Sequence, residues 1–289
     1  GLGDVYKRQT YTSTLHSFAA FSGDAMPMNE VFTPGRLKEY EDWLLQRRLS
    51  WNTISTYMRT LQAVYNRLSP PGTPEHNPRL FDDVYTKVKS QIKRALTEEQ
   101  MGRLMHADLD VLSEELQRVQ AYFLLMFLFR GMPFIDLAHL RKRDVKDGKI
   151  AYRRHKTGKQ ITLRIPREAL PLLKEFKDKD ETSLYLFPIL NAAPEGDDAL
   201  YECYQKALRN FNKMLRVLAK RLLPGIKISS YTARHTWATL AYHIGMPIGI
   251  ICQALGHSSI RVTETYLKPF ENEKVDKANR KLISTVKKH

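Results

Sequence analysis

The sequence is poor in cysteine and has no apolar run long enough to cross a bilayer. Its two cysteines, Cys203 and Cys252, exclude a disulfide framework and a cysteine-rich zinc site, so a reducing cytoplasm is the expected compartment. The longest apolar run, residues 121–129, is about half the length that a membrane-spanning helix needs. No signal peptide is visible. These absences favour a cytoplasmic protein without a membrane partner.

Positive charge, by contrast, is abundant. The 289 residues include 46 Lys and Arg against 31 Asp and Glu, a formal net charge of +15. Such an excess favours a polyanionic partner, because each phosphate that a cation neutralises releases condensed counterions. An ordinary basic protein would show the same balance. With 43% hydrophobic and 27% charged residues, a chain of this length fits two globular domains.

Helical periodicity dominates both halves of the chain. Residues 10–83 predict a helical domain whose clearest helix, 52–68, would be capped by Asn52 or Thr53. Residues 1–9 fit poorly with the helical pattern that begins after them, which suggests a missing or altered natural N-terminus. A basic linker is predicted at 84–95, and Thr97 begins a helix of the second domain, 96–289. The linker carries four basic residues, Lys87, Lys89, Lys93 and Arg94.

The periodicity changes once within the second domain. Residues 149–153 and 160–165 alternate as two strands would, and the turn between them contains Lys156, Gly158 and Lys159. The expected fold is therefore mostly α, with a small antiparallel sheet in the second domain. Helices are predicted around this hairpin at 116–129, 167–176, 197–222, 232–243, 248–255, 260–266 and 271–286.

Two short blocks near the C-terminus carry the most specific pattern. Residues 233–240 read Ala-Arg-His-Thr-Trp-Ala-Thr-Leu, and residues 255–260 read Leu-Gly-His-Ser-Ser-Ile. Tyr266 comes nine positions after His257. In order and internal spacing, the blocks resemble the C-terminal boxes of the tyrosine recombinase (phage integrase) family, in details most like integrases of Bacteroides-type mobile elements. Residues 56–61 look like part of the family's core-binding domain, and residues from about 96 look like its catalytic domain.

The resemblance implies a DNA strand-breaking and rejoining enzyme whose nucleophile is Tyr266. Arg234 would clamp the scissile phosphate, His257 would donate a hydrogen bond to it, and Lys156 or its neighbour Lys159 would protonate the leaving 5′-oxygen. Guanidinium groups suit the charge of a five-coordinate phosphorus because they offer paired donors. The chemistry implies no metal and no cofactor, since the phosphotyrosyl bond retains the energy needed for rejoining.

The sequence departs from the family in two places. Pro133 stands where the family has its first arginine, and we assign the missing phosphate contact to Arg130, three residues earlier. The alternative is a structural Arg130 paired with Asp136. Tyr231 stands where the family has His or Lys; it is a possible site member, and His235 and Asp136 are expected behind the site.

The resemblance also implies partners: double-stranded DNA, further copies of the chain in a tetramer on DNA, and host DNA-bending or directionality factors, in a bacterial cell. The two domains would form a clamp on the duplex. The apolar positions of the last helix would pack on a neighbouring protomer or on their own domain. Two other functions stay open, a type IB topoisomerase and a DNA-binding regulator that has lost catalysis. Four residues form that apolar face: Val275, Ala278, Leu282 and Ile283.

Overall fold

The chain divides into two compact units, Gly1–Gln91 and Ile92–His289. The computed structural model describes residues 2–23, 27–88, 95–107, 112–191, 196–270 and 272–286. The division falls inside the predicted linker, 84–95, of which residues 89–94 lie outside the described residues. The basic residues Lys89, Lys93 and Arg94 are therefore not described.

The first unit is helical up to Leu68 and continues through turns and loops over residues 69–88. Its helices are α1 (Leu2–Ser22), α2 (Met28–Val31), α3 (Pro34–Gln46) and α4 (Trp51–Leu68). They enclose an aromatic core in which the ring centroids of Phe18 and Tyr40 lie 4.8 Å apart. The predicted cap of α4 was wrong by two or three residues. Ser50 caps it, because its extended backbone lets the hydroxyl accept from the Thr53 amide at 3.2 Å.

The second unit is mainly helical with one small sheet, so the predicted fold class is confirmed. Its first helix begins after Thr97, as predicted, and the structure shows that Thr97 caps it in a reciprocal capping box with Gln100. Within the described residues no helix is both long and apolar enough to cross a membrane. The helices are α5 (Glu98–Met105), α6 (Glu114–Leu128), α7 (Phe134–Ala138), α8 (Ala169–Phe176), α9 (Asp197–Leu222), α10 (Ser230–His243), α11 (Ile248–Leu255), α12 (Ile260–Glu264) and α13 (Asn272–Val286), with a 3-10 turn at Lys142–Asp144.

The sheet contains the predicted hairpin and one strand more. Strands β1 (Val145–Lys146), β2 (Lys149–Arg153) and β3 (Gln160–Arg164) pair antiparallel in that order. Gly158 adopts φ +67° in the turn, and its amide donates to the Arg154 carbonyl at 2.8 Å. The two-residue strand β1 was not predicted, because two residues are too few to show alternation.

Helix α6 lies at the centre of the second unit and contacts α8, α9 and α10. Its residues from Ala121 to Met126 are all buried, which explains why this segment is apolar on every side. The chain leaves α6 through two consecutive left-handed residues, Arg130 at φ +59° and Gly131 at φ +68°. This bend brings the Gly131 carbonyl against α10, where the candidate site begins.

Candidate active site

Arg234 on α10 is the central cation of the site. Only 2% of it is exposed, and its guanidinium donates to two main-chain carbonyls, Gly131 at 2.8 Å and Leu255 at 2.6 Å. A β-carbon on Gly131 would lie 3.1 Å from the Cα atom of Arg234, so glycine permits the close approach of these segments. Arg234 thereby joins the end of α6 to the end of α11, from within α10.

His257 lies against this guanidinium. Its Nε2 atom is 2.9 Å from Nη2 of Arg234, and its Nδ1 atom is 2.9 Å from the Thr263 hydroxyl. A guanidinium can only donate, so Nε2 accepts, and the imidazole proton is on Nδ1. Burial, and after it the nearby Arg234 and Arg154, lower the pKa of His257 to about 3. His257 is therefore a neutral imidazole at neutral pH.

Tyr266 completes a group of three predicted residues that the structure brings together. Its half-buried ring lies 4.8 Å from the His257 ring, between centroids, and 5.5 Å from the guanidinium carbon of Arg234. Its main-chain carbonyl accepts from Thr239 at 3.3 Å and from the His235 ring at 3.2 Å. The backbone of the tyrosine is thus anchored to α10, beside the arginine.

Tyr231 and His235 flank Tyr266 on its other side. The Tyr231 ring is nearly parallel to that of Tyr266 at 6.4 Å, and the His235 ring is 4.7 Å from it. Tyr231 remains 47% exposed, whereas His235 is half-buried. The structure therefore places both residues beside the tyrosine, with His235 holding its backbone and the Tyr231 ring alongside its ring. Burial, and after it the neighbouring Tyr266, raise the pKa of Tyr231 to about 12.

Arg154, which sequence reasoning missed, shares this site. It comes directly after strand β2, is 5% exposed, and donates to the Leu255 and Gly256 carbonyls at 3.1 and 3.3 Å. Alternation along the strand could have revealed it, because Arg154 continues the two-residue steps of the buried Ile150 and Tyr152. Two guanidinium groups, from α10 and from the hairpin, therefore meet at the Leu255 carbonyl.

Asp136 on α7 is paired with Arg154. Its carboxylate lies 3.4 Å from Nε of Arg154, and it also accepts from the His155 amide at 2.9 Å. Within the described residues Asp136 forms its ion pair with Arg154, and Nδ1 of His155 lies 3.3 Å from its Oδ1 atom, so the alternative pairing of Asp136 with Arg130 is wrong. Arg130 is half-buried nearby. Burial raises the pKa of Tyr152, an effect that Arg154, Arg234 and Arg130 oppose.

Lys156 lies at the tip of the hairpin, exposed to solvent, and Lys159 is exposed in the same turn. Both lie near enough to His257 to contribute to the lowering of its pKa. The described residues hold no group of three or more His, Cys, Asp or Glu side chains with the geometry of a metal site. Apart from the exposed Lys156, the predicted catalytic residues thus lie on or beside one buried, electropositive cluster.

Because two histidines of this unit are buried, we expect the protein to lose stability in mild acid. Burial, and then His155, lower the pKa of His139 to about 4, while that of His257 is about 3. Between those values and the ordinary 6.5, the unfolded chain binds protons that the folded chain does not. The free energy of unfolding should therefore fall as pH drops from 7 to 5, by roughly 2 kcal/mol per histidine.

Urea unfolding across this pH range measures the effect. The variants His139→Asn and His257→Asn should each show a shallower pH dependence than the wild type, whereas His106→Asn, at an exposed position, should match it. An unchanged slope in both buried-site variants would contradict the prediction.

Comparison with known proteins adds independent findings. The model of the phage integrase family matches residues 94–273, and that of the phage integrase SAM-like domain matches residues 3–68. Tyrosine recombinase XerA of Pyrococcus furiosus is 28% identical over 248 residues, which are 82% of this chain and 79% of that protein. A tyrosine recombinase of Thermosipho africanus is 23% identical over 226 residues, covering 78% and 74%. The integrase of the Tn1549 transposon, in complex with transposon right end DNA, has the same fold, with a TM-score of 0.66 at 16% identity, covering 96% of this chain and 94% of that one.

Proposed function

Because the chain belongs to the phage integrase family, we propose that it is a site-specific tyrosine recombinase that cuts and rejoins double-stranded DNA during integration or excision of a mobile element. The observation that carries the proposal is the convergence of Tyr266, Arg234 and His257. A phenol beside a buried guanidinium and an imidazole is suited to attack on a phosphodiester. The chain matches two proteins called tyrosine recombinases over most of their length.

The proposed reaction exchanges one phosphodiester for another. The Tyr266 hydroxyl gives its proton to water as its oxygen attacks the scissile phosphorus. The bond from phosphorus to the 5′-oxygen breaks, and the DNA 3′-end becomes linked to the tyrosine. The departing 5′-oxygen takes a proton from Lys156, which the exposed hairpin turn can carry to the DNA. A second 5′-hydroxyl then attacks the phosphorus and returns a proton to Lys156, while the released Tyr266 oxygen takes a proton from water. The number of phosphodiester bonds is therefore conserved.

Negative charge that develops on the non-bridging oxygens needs donors already in place. Arg234 supplies them, and each such donor is typically worth about 3 to 4 kcal/mol in the transition state. Nε2 of His257 accepts from Arg234, so it can donate to phosphate only after it gains a proton. A phosphate anion beside the imidazole favours that protonation. Arg130 is proposed as a further phosphate contact, and Tyr231 as a hydroxyl donor.

A basic stripe on α9 supports DNA as the partner. Its five cations recur at steps of three and four residues, so they lie on one face of the helix, and all are exposed. The opposite face is buried through Tyr204, Phe211 and Leu215. Phosphates along a duplex would neutralise such a stripe, which consists of Lys206, Arg209, Lys213, Arg216 and Lys220.

Helix α13 supports self-association on DNA. Val275 and Ile283 are 52% and 46% exposed, which leaves two apolar side chains of the helix available to another protomer. The Leu282 side chain lies outside the described part of the chain. We propose that four protomers exchange strands between two duplexes, with host DNA-bending or directionality factors setting the outcome.

Covalent capture tests the proposed function. The full chain is incubated with a library of nicked duplexes of randomised sequence, in which the short 5′-hydroxyl strand diffuses away after cleavage and prevents rejoining. We expect a denaturant-resistant protein–DNA adduct, and peptide mapping should place the DNA on Tyr266. If DNA is bound but no adduct forms, a DNA-binding regulator is the better description. Relaxation of supercoiled DNA without two-site recombination would instead indicate a topoisomerase.

A further inference from the structure

The site contains more buried positive charge than its acidic side chains neutralise. Arg234 and Arg154 are 2% and 5% exposed, and among the described residues only Asp136 forms an ion pair with either of them. Arg234 is bound to two carbonyls and a neutral imidazole, none of which carries a negative charge. An unbalanced buried charge is costly, so an anion is the ligand that this cluster favours.

We propose that Arg154 is the second guanidinium that holds the scissile phosphate, in place of the arginine that the family carries at Pro133. The proposal rests on the recombinase function proposed above. Asp136 lies on α7, the helix that Pro133 precedes, and it binds Arg154 through Nε. The hairpin thereby delivers a guanidinium to α7, the helix in front of which this chain has a proline in place of the family's arginine.

The hydrogen bonds of Arg154 leave one nitrogen of its guanidinium available to a ligand. Within the described residues, Nε and Nη1 use Asp136 and the Leu255 and Gly256 carbonyls, and Nη2 has no partner. Arg234 binds the same Leu255 carbonyl through its Nη2 atom. The two cations therefore lie side by side, as is required for two arginines that contact different oxygens of one phosphate.

Gly256 leaves the space that the Arg154 side chain occupies. It caps α11 with φ +66°, and a β-carbon there would lie 2.8 Å from Cδ of Arg154 and from Cδ1 of Ile161. The glycine that precedes His257 therefore provides both the left-handed turn and the space through which the arginine reaches the site. Arg154 and His257 are positioned by the same residue.

The experiment separates phosphate binding from the structural ion pair. Arg154→Gln alone leaves Asp136 as an unpaired buried carboxylate, so the double variant Asp136→Asn, Arg154→Gln is made to restore folding. Asp136→Asn alone and Arg153→Gln, at the exposed neighbouring position on β2, are the controls. Single-turnover adduct formation is measured with the nicked duplex captured by the wild type. We expect the double variant to melt like the wild type and to react at least about 100-fold more slowly.

A second substrate shows whether the lost group acted on phosphate charge. A methylphosphonate at the scissile position replaces one anionic oxygen by a methyl group, so a cation that neutralises that charge becomes dispensable. The defect of the double variant relative to the wild type should shrink at least tenfold on this substrate. The proposal is overturned if the double variant reacts like Asp136→Asn or if its defect is equal on both substrates. It is also overturned if Arg130→Gln has a defect that shrinks on methylphosphonate and the double variant has none. Failure of the proposed function looks different, because the wild type itself would then form no adduct.

Discussion

Replacing Tyr266 by phenylalanine is expected to reduce covalent adduct formation below detection. The substitution removes one oxygen and keeps the ring that packs at 4.8 Å from His257 and 4.7 Å from His235. The main-chain carbonyl that accepts from Thr239 is also unchanged. Folding and DNA affinity should therefore stay near those of the wild type, while the only bond that the reaction forms to the protein cannot be made. Adduct yield on the nicked duplex and DNA affinity are measured side by side.

Tyr242→Phe is the matched control. Tyr242 lies on the same unit, on α10, and its ring packs at 4.7 Å on Phe270, so it should form adduct at the wild-type rate. The informative contrary outcome is an adduct that persists in Tyr266→Phe. Tyr231, whose exposed ring lies 6.4 Å from that of Tyr266, would then be the first candidate for the attacking phenol, and peptide mapping would identify it.

The fold was predictable where structure depends on local pattern. Helices α9 and α11 begin and end at the predicted residues, because their apolar spacing is regular and Gly256 ends α11. The hairpin was predictable from alternation around a glycine turn. The residues that cap helices were less predictable. Ser50, Asn52 and Thr53 are all residue types that can cap α4, and the extended backbone of Ser50 makes it the cap.

Part of the site was not predictable, because burial of a charged side chain depends on residues far apart in the sequence. Arg154 is buried only because Asp136 pairs with it, the end of α11 offers two carbonyls and Gly256 has no side chain. Proximity in sequence pointed instead to Arg130, three positions before Pro133. Arg234, His257 and Tyr266 were recognisable because their spacing is characteristic of the family, and their contacts with one another result from the packing of α10 to α12.

Replacing Arg234 by lysine should slow adduct formation by about 100- to 1000-fold. A guanidinium reaches the Gly131 and Leu255 carbonyls with different nitrogens and still has a further donor, Nε, which has no partner among the described residues. A single ammonium cannot satisfy both carbonyls and the phosphate at once. The free energy of unfolding should also fall by about 1 to 3 kcal/mol, because at least one buried carbonyl loses its donor. Single-turnover kinetics and urea unfolding measure the two effects separately.

The comparison variant is Arg261→Lys, which makes the same exchange at an exposed position on α12 and should change neither quantity. Methylphosphonate DNA then distinguishes charge from geometry. Because lysine keeps the positive charge, the neutral substrate should restore little activity to Arg234→Lys and considerably more to Arg234→Gln. A lysine variant that reacts at the wild-type rate would show that a point charge is sufficient at this position. The paired donors of the guanidinium, which connect α10 to the ends of α6 and α11, would then stabilise the fold and not the transition state of phosphoryl transfer.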